Sequence, residues 1–204
     1  MRYSRPHMRS YVWNEYDTNL HRERQVHAYA KWIEELLENG WNAFILTIMF
    51  RQLAGSTALI RSQMMQEAER IIWWLSEDMV RNPWSEIGRK KLPRVFYSLD
   101  WPVYKRDKKL SKQIIRANNG LHVQGILLKR KSTLLRQSLL SYVAEYQDHL
   151  RGKHNKVDVI DVKPIDRTPR VAGEYVLKAY QRRLIDDSGI MVLPKSLSEM
   201  RCRN

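Results

Sequence analysis

The chain has 204 residues, 43% of them hydrophobic and seven of them tryptophan, which suits one folded domain with short appendages and excludes a disordered tail. Its formal net charge of +14 makes a polyanion, above all nucleic acid, the expected partner. The single Cys202 excludes an internal disulfide framework and a cysteine-based zinc site, and no apolar run reaches membrane-spanning length, so a soluble, intracellular (cytoplasmic) protein without membrane contact is expected.

Residues 1–19 are rich in Tyr, Arg and Asn and read as an irregular arm with no signal-peptide core. From 20 to 38, Val26, Ala30, Ile33 and Leu37 recur at helical spacing, and Asn39-Gly40 supplies the stop that closes this N-terminal unit, 1–40. "WNAFILTIMF" (41–50) is apolar and rich in β-formers, which predicts a buried strand. Over 57–80 the stripe Ile60, Met64, Ala68, Ile71, Leu75 and Met79 predicts a helix. The segment "RNPWSEIGRKKLP" breaks it, and "RVFYSLDW" (94–101) is a second strand. A basic connection ends in Asn118-Asn119-Gly120, a turn signal, before a third strand in "GLHVQGILLKR" (120–130). Residues 133–150 return to helix with Leu135, Leu139, Tyr142, Val143, Tyr146 and Leu150 on one face. "VDVIDVKP" (157–164) alternates with period two and reads as a fourth strand. Thr168 as N-cap and Pro169 at the first helical position open a last helix. The tail, 186–204, is expected to be partly ordered at most. The order helix, βαββαβ, helix predicts an α+β fold, a ferredoxin-like or palm-like antiparallel sheet over 41–185.

His122 and Gln124 stand two apart on a strand and therefore share a face. That pattern is either half of a metal site or a polar sheet face. Asp100, closing the neighbouring strand, is either an acidic ligand or a turn residue. The remaining histidines, His7, His21, His27, His149 and His154, lack a partner at metal spacing. No phosphate loop, G-x-S-x-G or H-E-x-x-H pattern occurs.

Three stretches taken in order carry a resemblance: "FILTIMF" (44–50), His122-Val123-Gln124-Gly125, and Tyr175-Val176-Leu177-Lys178. Over about residues 40–185 the chain resembles the HUH endonucleases that start rolling-circle replication, particularly the Rep domains of circular single-stranded DNA replicons. The resemblance implies a nickase and strand transferase for single-stranded or hairpin DNA, working for a plasmid, phage or virus-like element. Tyr175 on the final, catalytic helix would attack the scissile phosphate to give a 5′-phosphotyrosine and a free 3′-OH, assisted by Lys178. His122 and Gln124 would hold Mg²⁺ or Mn²⁺. Both ions favour oxygen ligands, so an anionic ligand is needed, and Asp100 is the first choice with Glu86 as fallback.

Tyr180 lies about 140° round a helix from Tyr175, which makes it structural and the enzyme a one-tyrosine one. Lys105, Arg106, Lys108, Lys109, Lys112 and Arg116, with Lys129 and Arg182, would grip phosphates, and Trp101 or Tyr104 would stack on an unpaired base. Unwinding would fall to a separate helicase. Two alternatives stand beside this reading: a non-catalytic nucleic-acid-binding module of the same fold, and a transposase or relaxase of the same superfamily.

Overall fold

Strand β1 (Trp41–Phe50) buries Phe44, Leu46, Ile48 and Phe50, alternate residues that share one face of the sheet. In the computed structural model, which describes residues 15–101, 117–152, 156–165 and 169–195, this strand pairs with β3 (His122–Arg130) on one side and β4 (Val157–Pro164) on the other. Strand β2 (Arg94–Asp100) pairs with β3, and β5 (Ile190–Leu193) with β2. All four pairings are antiparallel, and the strand order is β4-β1-β3-β2-β5. The molecule is therefore α+β, with one five-stranded antiparallel sheet.

Helices cover both faces. On one lies α2 (Thr57–Met79), capped by Ser56, whose side chain accepts from the Leu59 N–H. Its stripe holds as the sequence predicts: Met64, Ala68, Ile71, Leu75 and Met79 are buried, and Ile60 packs at the margin. Tyr97 reaches across this face to the Met65 carbonyl at 3.4 Å. A short helix, α3 (Glu86–Arg89), sits inside the helix-breaking segment. The helix expected over 133–150 is two pieces, α4 (Leu139–Glu145) and α5 (Gln147–Arg151). Its start waits for Ser138, which caps the Ser141 N–H at 3.1 Å, and its continuity fails at Tyr146, where φ is −97° and ψ 18°.

The other face carries α1 (Glu15–Glu38), which begins five residues before the predicted start, and the last helix, divided at Leu177 into α6 (Pro169–Val176) and α7 (Lys178–Gln181). Val26, Ala30 and Ile33 of α1 are buried, as their spacing implies. Helix α6 lies chiefly on α1, where the Gly173 backbone meets Ala30. Arg22 fastens α1 to the chain end, donating to the Tyr180 carbonyl at 2.9 Å and to the Ile185 carbonyl at 3.2 Å. The proposed cap Thr168 lies outside the described residues.

The tail holds a strand that the four-strand reading did not include. Residues 190–193 form β5, completing the β2 edge with Leu193 buried. Four residues are too few to show a period, so the pairing partner rather than the local pattern defines this strand. No described helix is long and apolar enough to cross a membrane.

Candidate active site beneath the last helices

The sheet register brings the predicted groups together. Asp100 is the cross-strand partner of His122, and Ser98 of Gln124, so all four side chains share the face that α6 and α7 cover. On that face the Ser98 hydroxyl donates to the Val176 carbonyl at 2.7 Å, pinning the end of α6 to β2. Tyr175 and Lys178 flank this anchor. Lys178 reaches inward: its Nζ lies 2.6 Å from Asp100 Oδ2, 3.5 Å from Gln124 Oε1 and 4.0 Å from the centre of the Tyr175 ring. Tyr175 itself is 47% exposed.

Asp100 is 1% exposed, and neither of its buried oxygens accepts a hydrogen bond among the described residues. Its charge partner is the Lys178 ammonium, 2.6 Å from Oδ2. The His122 ring is a second neighbour. Its Nδ1 lies 3.0 Å from the Gly120 carbonyl, which can only accept, so Nδ1 carries the proton. Nε2 lies 3.6 Å from Asp100 Oδ2, the same oxygen that Lys178 Nζ approaches to 2.6 Å. A ligating histidine whose other nitrogen is held by a carbonyl is the usual arrangement around a bound metal. One imidazole nitrogen, one carboxylate and one amide oxygen suit a hard divalent ion, so the residues fit Mg²⁺ or Mn²⁺. No cluster of three or more His, Cys, Asp or Glu side chains occurs among the described residues, so a three-donor set here would have to include Gln124.

The turn before β3 sets the position of His122. Asn118 adopts a left-handed conformation, φ 52°, which asparagine tolerates better than most residues. Its side chain accepts from the Leu53 N–H at 2.9 Å and donates to the Arg51 carbonyl at 2.8 Å, while the Gln52 side chain accepts from the Asn118 N–H at 2.9 Å. The exit of β1 and the entry of β3 are thereby tied together. Gly125, next to Gln124, is required by close approach: a Cβ there would lie 2.6 Å from Tyr97 Cβ and 2.8 Å from the Phe96 carbonyl oxygen.

Other sequence expectations fall away from this centre. Glu86 begins α3, pairs with Lys90 at 2.9 Å and lines a cavity with Arg94, at the opposite end of β2 from Asp100, so it is no ligand here. Lys129 is seven residues along β3 from His122, on the opposite face by strand alternation, so it does not flank the site. Arg182 follows α7 and is exposed. Lys105, Arg106, Lys108, Lys109, Lys112 and Arg116, with Tyr104, lie outside the described residues. Trp101 is partly buried against the core. Tyr180 is structural as expected, 1% exposed with its hydroxyl donating to Asp187 at 2.6 Å.

Sequence reasoning misses Ser98, and at Asn118 it finds the turn but not the side-chain ties to 51–53. A serine two positions before Asp100, on the same strand face, was the available signal for the first. Comparison of the chain with protein-family models, curated proteins and solved structures gave no match.

Proposed function

We propose that the chain is a metal-dependent, single-tyrosine nickase and strand transferase acting on single-stranded or hairpin DNA, of the HUH type that initiates rolling-circle replication. One observation carries the reading. The phenol-bearing helix lies on the same sheet face as His122, Gln124 and Asp100, with the Lys178 ammonium between them. The strand order β4-β1-β3-β2, with α2, α4 and α5 together on one face, supports a ferredoxin-like core to which β5 and the terminal helices are added.

In this reading the Tyr175 oxygen attacks phosphorus in line, forming a tyrosyl–phosphate bond as the bond to the 3′ oxygen breaks. The phenol proton leaves to solvent, and the departing 3′ oxygen takes one up. His122, Asp100 and Gln124 would hold Mg²⁺ or Mn²⁺, which supplies charge neutralisation at the non-bridging oxygens. Lys178 stabilises the negative charge that gathers on the phenol and phosphate. Exposure of Tyr175 admits the DNA, and the Ser98–Val176 bond holds the helix at a fixed height over the sheet.

The test is incubation of the chain with labelled single-stranded oligonucleotides and Mn²⁺, followed by denaturing electrophoresis. Wild type gives a slow-migrating adduct that EDTA prevents, and Tyr175→Phe gives none while retaining binding. An adduct from Tyr175→Phe refutes the nucleophile.

One observation favours the rival reading, a non-catalytic nucleic-acid-binding module. Lys178 already occupies the space beside Asp100 and Gln124, as an internal cation would in a purely structural site. That reading predicts salt-sensitive binding, indifference to EDTA and no adduct.

A further inference from the structure

At the far end of β2, about 20 Å along the strand from Asp100, a cavity of about 270 Å³ opens beside Trp73, Trp84, Leu92 and Pro194. Its size suits one flat ring better than an extended ligand, since pockets for drug-sized molecules start at roughly 300 Å³. The Trp73 and Trp84 rings stack at 4.9 Å with an interplanar angle of 25°, and Trp84 is 56% exposed. A large aromatic left this open is held there by a stiff turn. Ser85 caps the Gly88 N–H at 3.0 Å, and a Cβ on Gly88 would sit 2.0 Å from the Asn82 carbonyl oxygen.

The rim is cationic. Lys90 is neutralised by Glu86 at 2.9 Å and Lys195 by Glu69 at 2.6 Å. Arg89 and Arg94 have no ion pair or hydrogen bond to another side chain among the described residues. Arg94 is partly buried and lies near Arg130, and burial together with that like charge lowers its pKa. An anion beside it would relieve both effects.

We infer that this pocket is a second nucleic-acid contact, in which an unpaired base of a single strand stacks on Trp84 while its phosphate meets Arg89 and Arg94. An aromatic platform beside unpaired guanidinium groups offers a base its π-face and a phosphate its counter-charge, whatever the base sequence. The inference rests on the proposed function only for the class of ligand, single-stranded nucleic acid, and does not depend on catalysis.

The experiment is fluorescence anisotropy of a labelled oligothymidylate with the full chain in EDTA, where no cleavage can occur. Trp84→Ala should weaken binding by roughly 5- to 100-fold, the range expected for losing one base stack. Arg94→Gln should weaken binding less and reduce the salt dependence by about one ion. Wild type photocrosslinked to an oligonucleotide carrying 5-iododeoxyuridine should be marked at Trp73 or Trp84, a readout that needs no variant to fold. If wild type binds, Trp84→Ala binds equally well and crosslinks are confined to α6, this pocket is excluded, and an adduct in the separate Mn²⁺ assay leaves the nickase reading standing. If wild type does not bind the oligonucleotide at all, both fall. Binding that depends on Trp84, with no adduct when Mn²⁺ replaces EDTA, supports this contact and refutes the nickase.

Discussion

The contact between Lys178 and Asp100 can be dissected by removing each charge in turn. At an effective dielectric constant of about 20, unit charges 2.6 Å apart attract by roughly 6 kcal/mol before desolvation is counted. The two partners differ in what they can do when left alone. The Lys178 side chain is 14% exposed and long enough to swing into water, so Asp100→Asn should destabilise by about 2–3 kcal/mol, below the usual range for a trapped charge. Asp100, at 1% exposed on a rigid strand, cannot escape, so Lys178→Met should destabilise by about 3–5 kcal/mol. The double variant leaves no unpaired charge and should return to within about 1 kcal/mol of wild type.

Urea denaturation in EDTA measures all four proteins, and repeating it in Mn²⁺ tests the ion. A bound divalent cation substitutes for the missing ammonium, so Mn²⁺ should rescue Lys178→Met more than it stabilises wild type. It should do little for Asp100→Asn. Strictly additive single-variant effects would show that the two groups do not interact, and equal Mn²⁺ stabilisation of Asp100→Asn and wild type would remove the carboxylate from the ion site.

Gly125→Ala should destabilise by about 2–3 kcal/mol at unchanged m-value, because the new methyl meets the Phe96 backbone; Gly173→Ala, where the nearest atom is 3.4 Å away, should shift the midpoint far less. Asn118→Ala orphans the Leu53 N–H and strains a left-handed residue, a loss of about 2–4 kcal/mol, whereas Asn118→Gly should recover the backbone part alone. Burial, then the hydrogen bond to Asp187, push the Tyr180 hydroxyl up to about 12, whereas in the unfolded chain it titrates near 10. The folded chain thus keeps a proton that the unfolded chain releases, so this stability is complete below pH 10 and lost as pH rises towards 12. Tyr180→Phe should reduce that alkaline slope in pH-dependent unfolding, although Tyr97 and Tyr142, shifted the same way, will keep part of it.

What could be read from the sequence were the features that repeat along the chain. The α2 stripe has six apolar positions over more than five turns, so its helical period was unmistakable, and β1 and β4 showed themselves by composition and alternation. His122 and Gln124 followed from the same two-residue period. The site's other half depended on long-range register. Nothing local says that Asp100 stands opposite His122, or that Ser98 meets the Val176 carbonyl, because strand pairing decides the first and helix docking the second. Strand β5 was hidden for the same reason, being defined by its neighbour and not by its own four residues. Clustering of cations along the sequence, as at Lys129, does not say which side of a sheet each one occupies.

The two halves of the proposed reaction centre have different foundations. His122, Gln124 and Asp100 stand on hydrogen-bonded strands in the middle of the molecule, whereas Tyr175 rides on a helix whose broadest support is α1, with Arg22 clasping the chain just beyond it. Displacing that first helix would leave His122, Gln124 and Asp100 in register on the sheet yet carry Tyr175 away from them. The proposed centre thus depends on the seating of α1, which contributes none of its four side chains.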